Sequence, residues 1–243
     1  MEAINHESAT NNLIEQYQTN GENIQAVELP FEVKEGEEYF VAQVGLVKRK
    51  PFFAFFKRSF DFFVSLIGLI VLFLPFIIIA IAIKCTSKGP VFYKQERLGL
   101  NGKKFNLYKF RTMRADAEKD GARWSDGDDD ERIHKVGKFL RKTRLDELPQ
   151  LLNCLVGNMT IVGPRPEREC FYVAFEKYIH GFSERLKVKP GITGLAQVNG
   201  GYNLKPQEKV VYDVEYIKTR SLWLDIKILF KTVGVIFTHK GAK

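Results

Sequence analysis

Three observations predict a mainly α fold with a small β element (α+β), attached to a membrane. The run Phe62–Ile83 is 22 residues long and carries no charge. Five later stretches carry helical apolar spacing or helix-end signals: Lys135–Lys142, Asp146–Leu155, Glu169–Tyr178, Gln207–Thr219 and Leu222–Phe237. Only Val91–Tyr93 and Lys104–Tyr108 read as short strands, joined through Gly99–Gly102.

The chain has 243 residues, enough for one membrane segment and one domain with its own core. Its 45% hydrophobic content excludes a many-span transporter. The net charge of +8 is unevenly placed. Residues 1–47 hold nine Glu and one Lys, a net of −8, which leaves +16 on residues 48–243. A body that basic suits an anionic partner: nucleic acid, a phospholipid surface or a phosphorylated substrate. Nucleic acid is disfavoured, because aromatic residues are not interleaved with the basic ones as a stacking platform requires. Cys85, Cys154 and Cys170 lack C-x-x-C spacing, which argues against a disulfide framework or a zinc site and for reduced thiols facing the cytosol.

Residues 1–47 form an acidic extension. It opens as a polar flexible tail, unlike a secretory signal peptide, with a short strand or helix expected within Glu32–Val47. Residues 48–88 form a second unit. The basic cluster Lys48, Arg49, Lys50, Lys57 and Arg58 leads into the apolar run. As a straight helix that run would reach roughly 33 Å, and the hydrocarbon core is ~30 Å thick. Lys84, Lys88, Lys94, Arg97, Lys103 and Lys104 follow, so both flanks are positive and the positive-inside rule names no winner. Pro75 removes one helical hydrogen bond and bends the segment. A kinked span and a hairpin that re-enters at Pro75 fit equally well.

Residues 89–243 form the third unit. Ala115–Lys119 is helix-prone and gives way to an Asp-rich loop, Ser125–Glu131. Gly163-Pro164-Arg165-Pro166 is a rigid loop and Pro190–Gly201 a Gly-rich one. The last helix places Leu222, Ile226, Leu229, Val233 and Ile236 on one stripe, bordered by Trp223, Lys227 and Lys231. That pattern suits a core helix or one lying in a membrane interface.

Candidate chemistry centres on Leu145-Asp146-Glu147-Leu148-Pro149-Gln150. Alone it is a good helix start, with Asp146 as cap and Pro149 in the first turn. Its neighbours suggest more. Arg141, Lys142 and Arg144 precede it, and Arg165 is fixed between two prolines. Adjacent carboxylates ringed by arginines suit phosphoryl transfer with a hard cation. Lys109 and Arg111 fall on one side of an extended segment, a plausible anion contact. Asp126-Gly127-Asp128 reads as a D-x-D metal–nucleotide motif, although solvated acidic loops look the same. His134 and His180 lack partners at ligand spacing, and no G-x-x-x-x-G-K-[ST] loop is present.

From about Phe56 to the C-terminus the chain resembles the bacterial sugar transferases, the monotopic polyprenyl-phosphate phosphoglycosyl transferases. The resemblance rests on Lys57-Arg58-Ser59-Phe60-Asp61 and on Gly89 to Gly99 (GPVFYKQERLG). It continues through Phe105 to Met113 (FNLYKFRTM), Val136 to Gln150 (VGKFLRKTRLDELPQ), Ile161 to Glu167 (IVGPRPE) and Pro190 to Gly200 (PGITGLAQVNG). It implies one re-entrant membrane helix and a cytosolic, interface-associated catalytic domain, monotopic at the cytoplasmic face of the bacterial inner membrane. It implies transfer of sugar 1-phosphate from a UDP-sugar to undecaprenyl phosphate, releasing UMP, as a first membrane step of exopolysaccharide, capsule or glycan synthesis. It further implies Mg²⁺ held by Asp146 and Glu147, with Asp146 as nucleophile through a covalent phosphosugar intermediate. Lys109, Arg111, Arg141 and Arg165 would contact phosphate. Membrane lipids are implied partners, and a second copy of the chain or other polysaccharide-assembly proteins are compatible with it.

Three positions depart from the family pattern. Leu74 precedes Pro75 where Ser is common, Gly201 stands where Arg is frequent, and Arg144 stands where a small residue is usual. Two rivals remain: a metal-dependent glycosyltransferase using Asp126 and Asp128, and a non-catalytic scaffold for polysaccharide assembly.

Overall fold

The computed structural model describes residues 36–45, 47, 50–117 and 130–238. The polar tail, Lys48, Arg49, Asp126 and Asp128 lie outside the described residues, as does most of the expected Asp-rich loop.

The described chain is mostly helical with short strands, consistent with the α+β expectation. Helix α1 spans Pro51–Val71 and α2 spans Phe73–Thr86, with a 60° bend between them. The bend falls at Leu72, three residues before Pro75. Proline acts on the carbonyl four residues back, here that of Val71. The first helix therefore stops at Val71, and Pro75 sits in the first turn of α2, where no N–H is required. No single described helix is long and apolar enough to cross a membrane; the bent pair passes that test together.

Helix α1 starts earlier than the apolar run and carries a polar face into the protein. Asp61 is buried, accepting from Thr160 Oγ1 at 2.6 Å and from the Ile161 amide at 2.9 Å. Lys57 Nζ donates to the Val162 carbonyl and pairs with Asp225 at 2.6 Å. Arg58 donates to the carbonyls of Cys154 and Leu155. These residues recur on one face, so the positive flank is a docking surface as well as a charge signal. Asp61→Ala should lower stability by about 2–3 kcal/mol, since two buried bonds to a charged acceptor are lost. Asp61→Asn should recover roughly half of that. Thermal unfolding of the two variants checks both figures.

The first three strands are β1 (Tyr39–Phe40), β2 (Phe92–Leu98) and β3 (Lys104–Phe110). β2 and β3 pair antiparallel from Phe92↔Phe110 to Leu98↔Lys104. The hairpin is longer than the sequence patterns because Lys94, Glu96 and Arg97 interrupt the apolar alternation without leaving the pleat. Helix α3 spans Lys135–Lys142 as expected. The expected helix from Asp146 does not start there. A 3₁₀ turn spans Leu145–Glu147, and α4 spans Gln150–Val156. Pro149 cannot donate to the Leu145 carbonyl, which accepts from Leu148 instead.

β4 (Thr160–Val162) pairs parallel with β6 (Gly191–Thr193), and α6 spans Leu195–Asn199. The stretch expected to be a Gly-rich loop is thus a strand and a short helix. The glycines are there for close approach. A Cβ on Gly191 would lie 2.1 Å from the Gly163 nitrogen, and one on Gly194 would lie 2.2 Å from the Gly163 carbonyl oxygen. Between them come α5 (Glu169–Glu176), β5 (Ile179–His180) and a buried 3₁₀ segment, Phe182–Lys187. β1 pairs parallel with β5, and the Val44 amide donates to Glu184 at 2.7 Å. These residues of the acidic extension therefore lie against the body.

Helices α7 (Pro206–Thr219) and α8 (Leu222–Thr238) close the fold. The stripe expected on α8 is mostly exposed: Leu222, Ile226, Val233 and Ile236 face outward with Trp223 and Phe230. The buried face instead carries Asp225 and Ile228, with Thr232 bonded to Thr193 at 2.7 Å.

Candidate active site

Asp146 and Glu147 reach a cavity because of the turn before them. Arg144 adopts a left-handed conformation, φ 57°, after the end of α3. That conformation costs an L residue roughly 1–2 kcal/mol. It reverses the chain so that the following 3₁₀ turn presents both acids to one cavity, which is itself lined by Arg144.

The cavity holds about 390 Å³, within the ordinary range for small-molecule sites. Among the described residues, ten Arg and Lys side chains line it against four acids: Asp146, Glu147, Glu167 and Asp213. Glu147 is buried and takes two of the cations. Lys109 Nζ donates to Oε1 at 2.9 Å, and Arg165 grips both carboxylate oxygens, with Nη1–Oε2 at 3.2 Å. Burial works to raise the Glu147 pKa, but Arg165 and Lys109 outweigh it and hold the carboxyl well below the usual range. Asp146 is pushed the other way, up to about 6. Burial is the main cause, Glu147 adds to it, and Lys109 opposes it. Two adjacent carboxylates thus have divergent proton affinities, a separation typical of sites with divided roles.

The supporting groups are specific. Asn153 on α4 is fully buried. Its Oδ1 accepts from the Tyr108 amide at 3.1 Å and its Nδ2 donates to the Asn106 carbonyl at 2.7 Å, fixing β3 beside the dyad and with it Lys109. Gly163 donates to the Thr193 carbonyl, which seats the Pro164–Pro166 loop. Arg185, 2% exposed in its side chain, donates from Nε to Asp213 Oδ2 at 2.7 Å and from Nη2 to the Arg165 carbonyl at 2.8 Å. Neither Asn153 nor the Arg185–Asp213 pair stood out in the sequence, where helical polar residues look like solvated ones.

Of the four expected phosphate contacts, all line the cavity, and each is also engaged inside the protein. Arg165 and Lys109 hold Glu147. Arg111 is buried, and its Nη1 and Nη2 donate to the carbonyls of Lys88 and Ser87 at 2.6 and 2.7 Å, at the end of α2. Its guanidinium therefore fastens the bent helix pair to the body. Arg141 donates from Nε to Thr112 Oγ1 at 3.0 Å.

The donor set tests the fit to a divalent cation. No cluster of three or more His, Cys, Asp or Glu exists among the described residues. Mg²⁺ ordinarily takes only one or two carboxylates and completes its shell with water and substrate phosphate oxygens. Asp146 and Glu147 suit that mode, and a cation there would relieve the unfavourable burial of charge on Asp146.

Paired carboxylates of divergent acidity in a cation-lined cavity, on a domain joined to a bent pair of apolar helices, make a site suited to phosphoryl-transfer chemistry. The family model for bacterial sugar transferase matches residues 52–239, and the chain belongs to that family.

Three relatives show how evenly the likeness is spread. The chain is 42% identical over 205 residues to the UDP-N-acetylgalactosamine-undecaprenyl-phosphate N-acetylgalactosaminephosphotransferase of Aeromonas hydrophila, covering 83% of this chain and 48% of that protein. It is 45% identical over 192 residues to the UDP-glucose:undecaprenyl-phosphate glucose-1-phosphate transferase of Klebsiella pneumoniae, covering 77% and 41%. It is 39% identical over 202 residues to the UDP-galactose-lipid carrier transferase of Erwinia amylovora, covering 77% and 42%. The chain therefore spans less than half the length of these relatives. Their names carry three different sugars at similar identity.

Proposed function

We propose that this chain transfers a sugar 1-phosphate from a UDP-sugar to undecaprenyl phosphate and releases UMP. The observation that carries the reading is the Asp146–Glu147 pair, set among arginines in a cavity beside the hairpin. In the first half-reaction a carboxylate oxygen of Asp146 attacks the phosphorus bearing the sugar. The new P–O bond forms as the bond to UMP breaks, and UMP leaves with the electron pair. In the second half-reaction an oxygen of the lipid phosphate attacks the same phosphorus, and Asp146 leaves as free carboxylate. Glu147 holds Lys109 and Arg165 beside the reacting phosphates, and Arg141 and Arg144 add positive charge to the cavity wall. A Mg²⁺ ion on the dyad would supply neutralisation of the diphosphate charge. Carboxylates are weak nucleophiles, so that cationic surrounding is what makes the attack feasible.

The hairpin reading belongs to the same proposal. Lys57 and Arg58 attach the entry of α1 to the body, and Arg111 attaches the exit of α2 to it. Both ends attached to one body support a re-entrant hairpin at the cytoplasmic face of the membrane. The exposed apolar residues of α1 and α8, among them Phe52, Phe55, Trp223 and Phe230, would rest in the interface. A membrane-impermeant thiol label is expected to reach cysteines placed before Phe60 and after Lys84 from the cytosolic side only. Labelling from opposite sides would refute the hairpin.

The activity test is direct. The chain is incubated in lipid discs with Mg²⁺, undecaprenyl phosphate and single UDP-sugars, and the nucleotide product is identified. UMP is expected. UDP would point to the Asp126 and Asp128 glycosyltransferase, and no nucleotide from any UDP-sugar would point to a scaffold.

A further inference from the structure

Beyond Arg165 the cavity continues to a wall built by α6 and α7, which the dyad chemistry does not use. Asp213 on α7 lines that wall and is 1% exposed. Its Oδ2 accepts from Arg185, and its Oδ1 has no hydrogen-bond partner. Gln197 on α6 also lines the cavity and is 9% exposed. Its amide nitrogen donates to the Ile192 carbonyl at 3.0 Å, and its Oε1 has no partner. The orientation of that amide follows from chemistry, because a carbonyl can only accept and so must face the nitrogen. Two buried acceptors without partners, on neighbouring helices whose residues line one cavity, require an explanation; both oxygens are enclosed, so a ligand group reaches them only as these side chains turn outward. Lys209 and Arg97 line the same region and keep its net charge from turning negative.

We infer that Asp213 Oδ1 and Gln197 Oε1 form a subsite that accepts hydrogen bonds from hydroxyl or ring N–H groups on the uncharged part of the donor nucleotide sugar. The inference rests on the reading of this cavity as the UDP-sugar site. A phosphate does not match this pair, since it would bring only acceptors to two acceptor oxygens. The diphosphate therefore belongs with Lys109 and Arg165 at the dyad, and the neutral, donor-rich end extends past Arg165. The donor groups come from one of two sources, the nucleoside or the hexose, and the two are separable by experiment. Arg185 links the subsite to the dyad through the Arg165 carbonyl, so occupancy at one end bears on the loop at the other.

The test measures binding, using the full chain in lipid discs with Asp146→Asn added to prevent turnover. UMP, UDP, UDP-glucose and UDP-N-acetylgalactosamine are titrated by calorimetry. Two further substitutions are compared, Asp213→Asn and Gln197→Met. In Asp213→Asn the amide must turn its oxygen to Arg185, which presents an N–H to the ligand where an acceptor stood. Each is expected to weaken binding at least tenfold. Equal weakening for UMP and the UDP-sugars assigns the subsite to the nucleoside; weakening confined to the UDP-sugars assigns it to the hexose. Binding within twofold in both variants, with unfolding temperatures unchanged, overturns the subsite and leaves the donor reading intact. Should Asp213→Asn fail to fold, Gln197→Met alone decides. If the protein with both residues intact binds none of the four nucleotides, the donor reading fails and takes the subsite with it.

Discussion

Asp146→Asn is expected to lower release of UMP by about 10⁴-fold or more, the scale seen when a covalent nucleophile is lost. The substitution keeps size and shape and removes the charge that attacks phosphorus in the proposed mechanism. It also removes a carboxylate held in an unfavourable, buried position, so folding should survive or improve. The pairing of lost turnover with retained thermal stability is the diagnostic outcome. Near-normal activity in that variant would sink the covalent mechanism. A radiolabelled sugar phosphate should remain on the wild-type protein after brief exposure to donor without acceptor, and should be absent from Asp146→Asn.

Arg185→Met is expected to produce the largest loss of stability, about 3–5 kcal/mol, because it leaves Asp213 charged and buried without its partner. Both side chains are almost wholly enclosed, so solvent offers no substitute. Arg185 also lies over the Phe182 ring at 4.7 Å and donates to the Arg165 carbonyl. Turnover should fall along with stability, since Arg165 would lose the tether that aims it at Glu147. Removing both charges, in Arg185→Met with Asp213→Leu, should restore much of the stability, because two apolar side chains replace an ion pair that was costly to bury. Activity should stay low. Thermal unfolding and UMP release, measured on the same preparations, separate the two effects. If the double variant is as unstable as Arg185→Met alone, the buried charge is not the cause.

How much could be read from residues follows from where each signal resides. The dyad was legible because Asp146 and Glu147 are neighbours in sequence and their arginines lie close by in the chain. The bend in the helix pair was legible in kind but displaced, since Pro75 acts through a carbonyl four residues earlier. The role of Arg111 was not legible. Its charge is visible in the sequence, but its partners are carbonyls at Ser87 and Lys88, and carbonyls leave no mark in composition. The same applies to Gly191 and Gly194, whose need for a missing Cβ is set by Gly163, distant in the chain. On α8 the helical period was right, and of the two readings left open for its stripe the core one does not hold, since most of the stripe is exposed. Asp225 occupies the buried side because Lys57 and Tyr216 bond it there, and an apolar stripe cannot register a buried acid. Arg185 and Asp213 escaped for a related reason, as buried pairs and surface charges are spelled alike.

Arg111 has one more consequence. Two residues before it, on the strand that ends at Phe110, Lys109 holds Glu147. Along an extended strand that separation is about 7 Å. The fastening of the hairpin and the seat of the dyad are thus marks on one short ruler. In the proposed reading, lipid phosphates stand at a fixed depth in the bilayer and the catalytic carboxylate stands at a fixed altitude above the hairpin. A flexible anchor would have to search for that match; in this reading the chain is built at the required height.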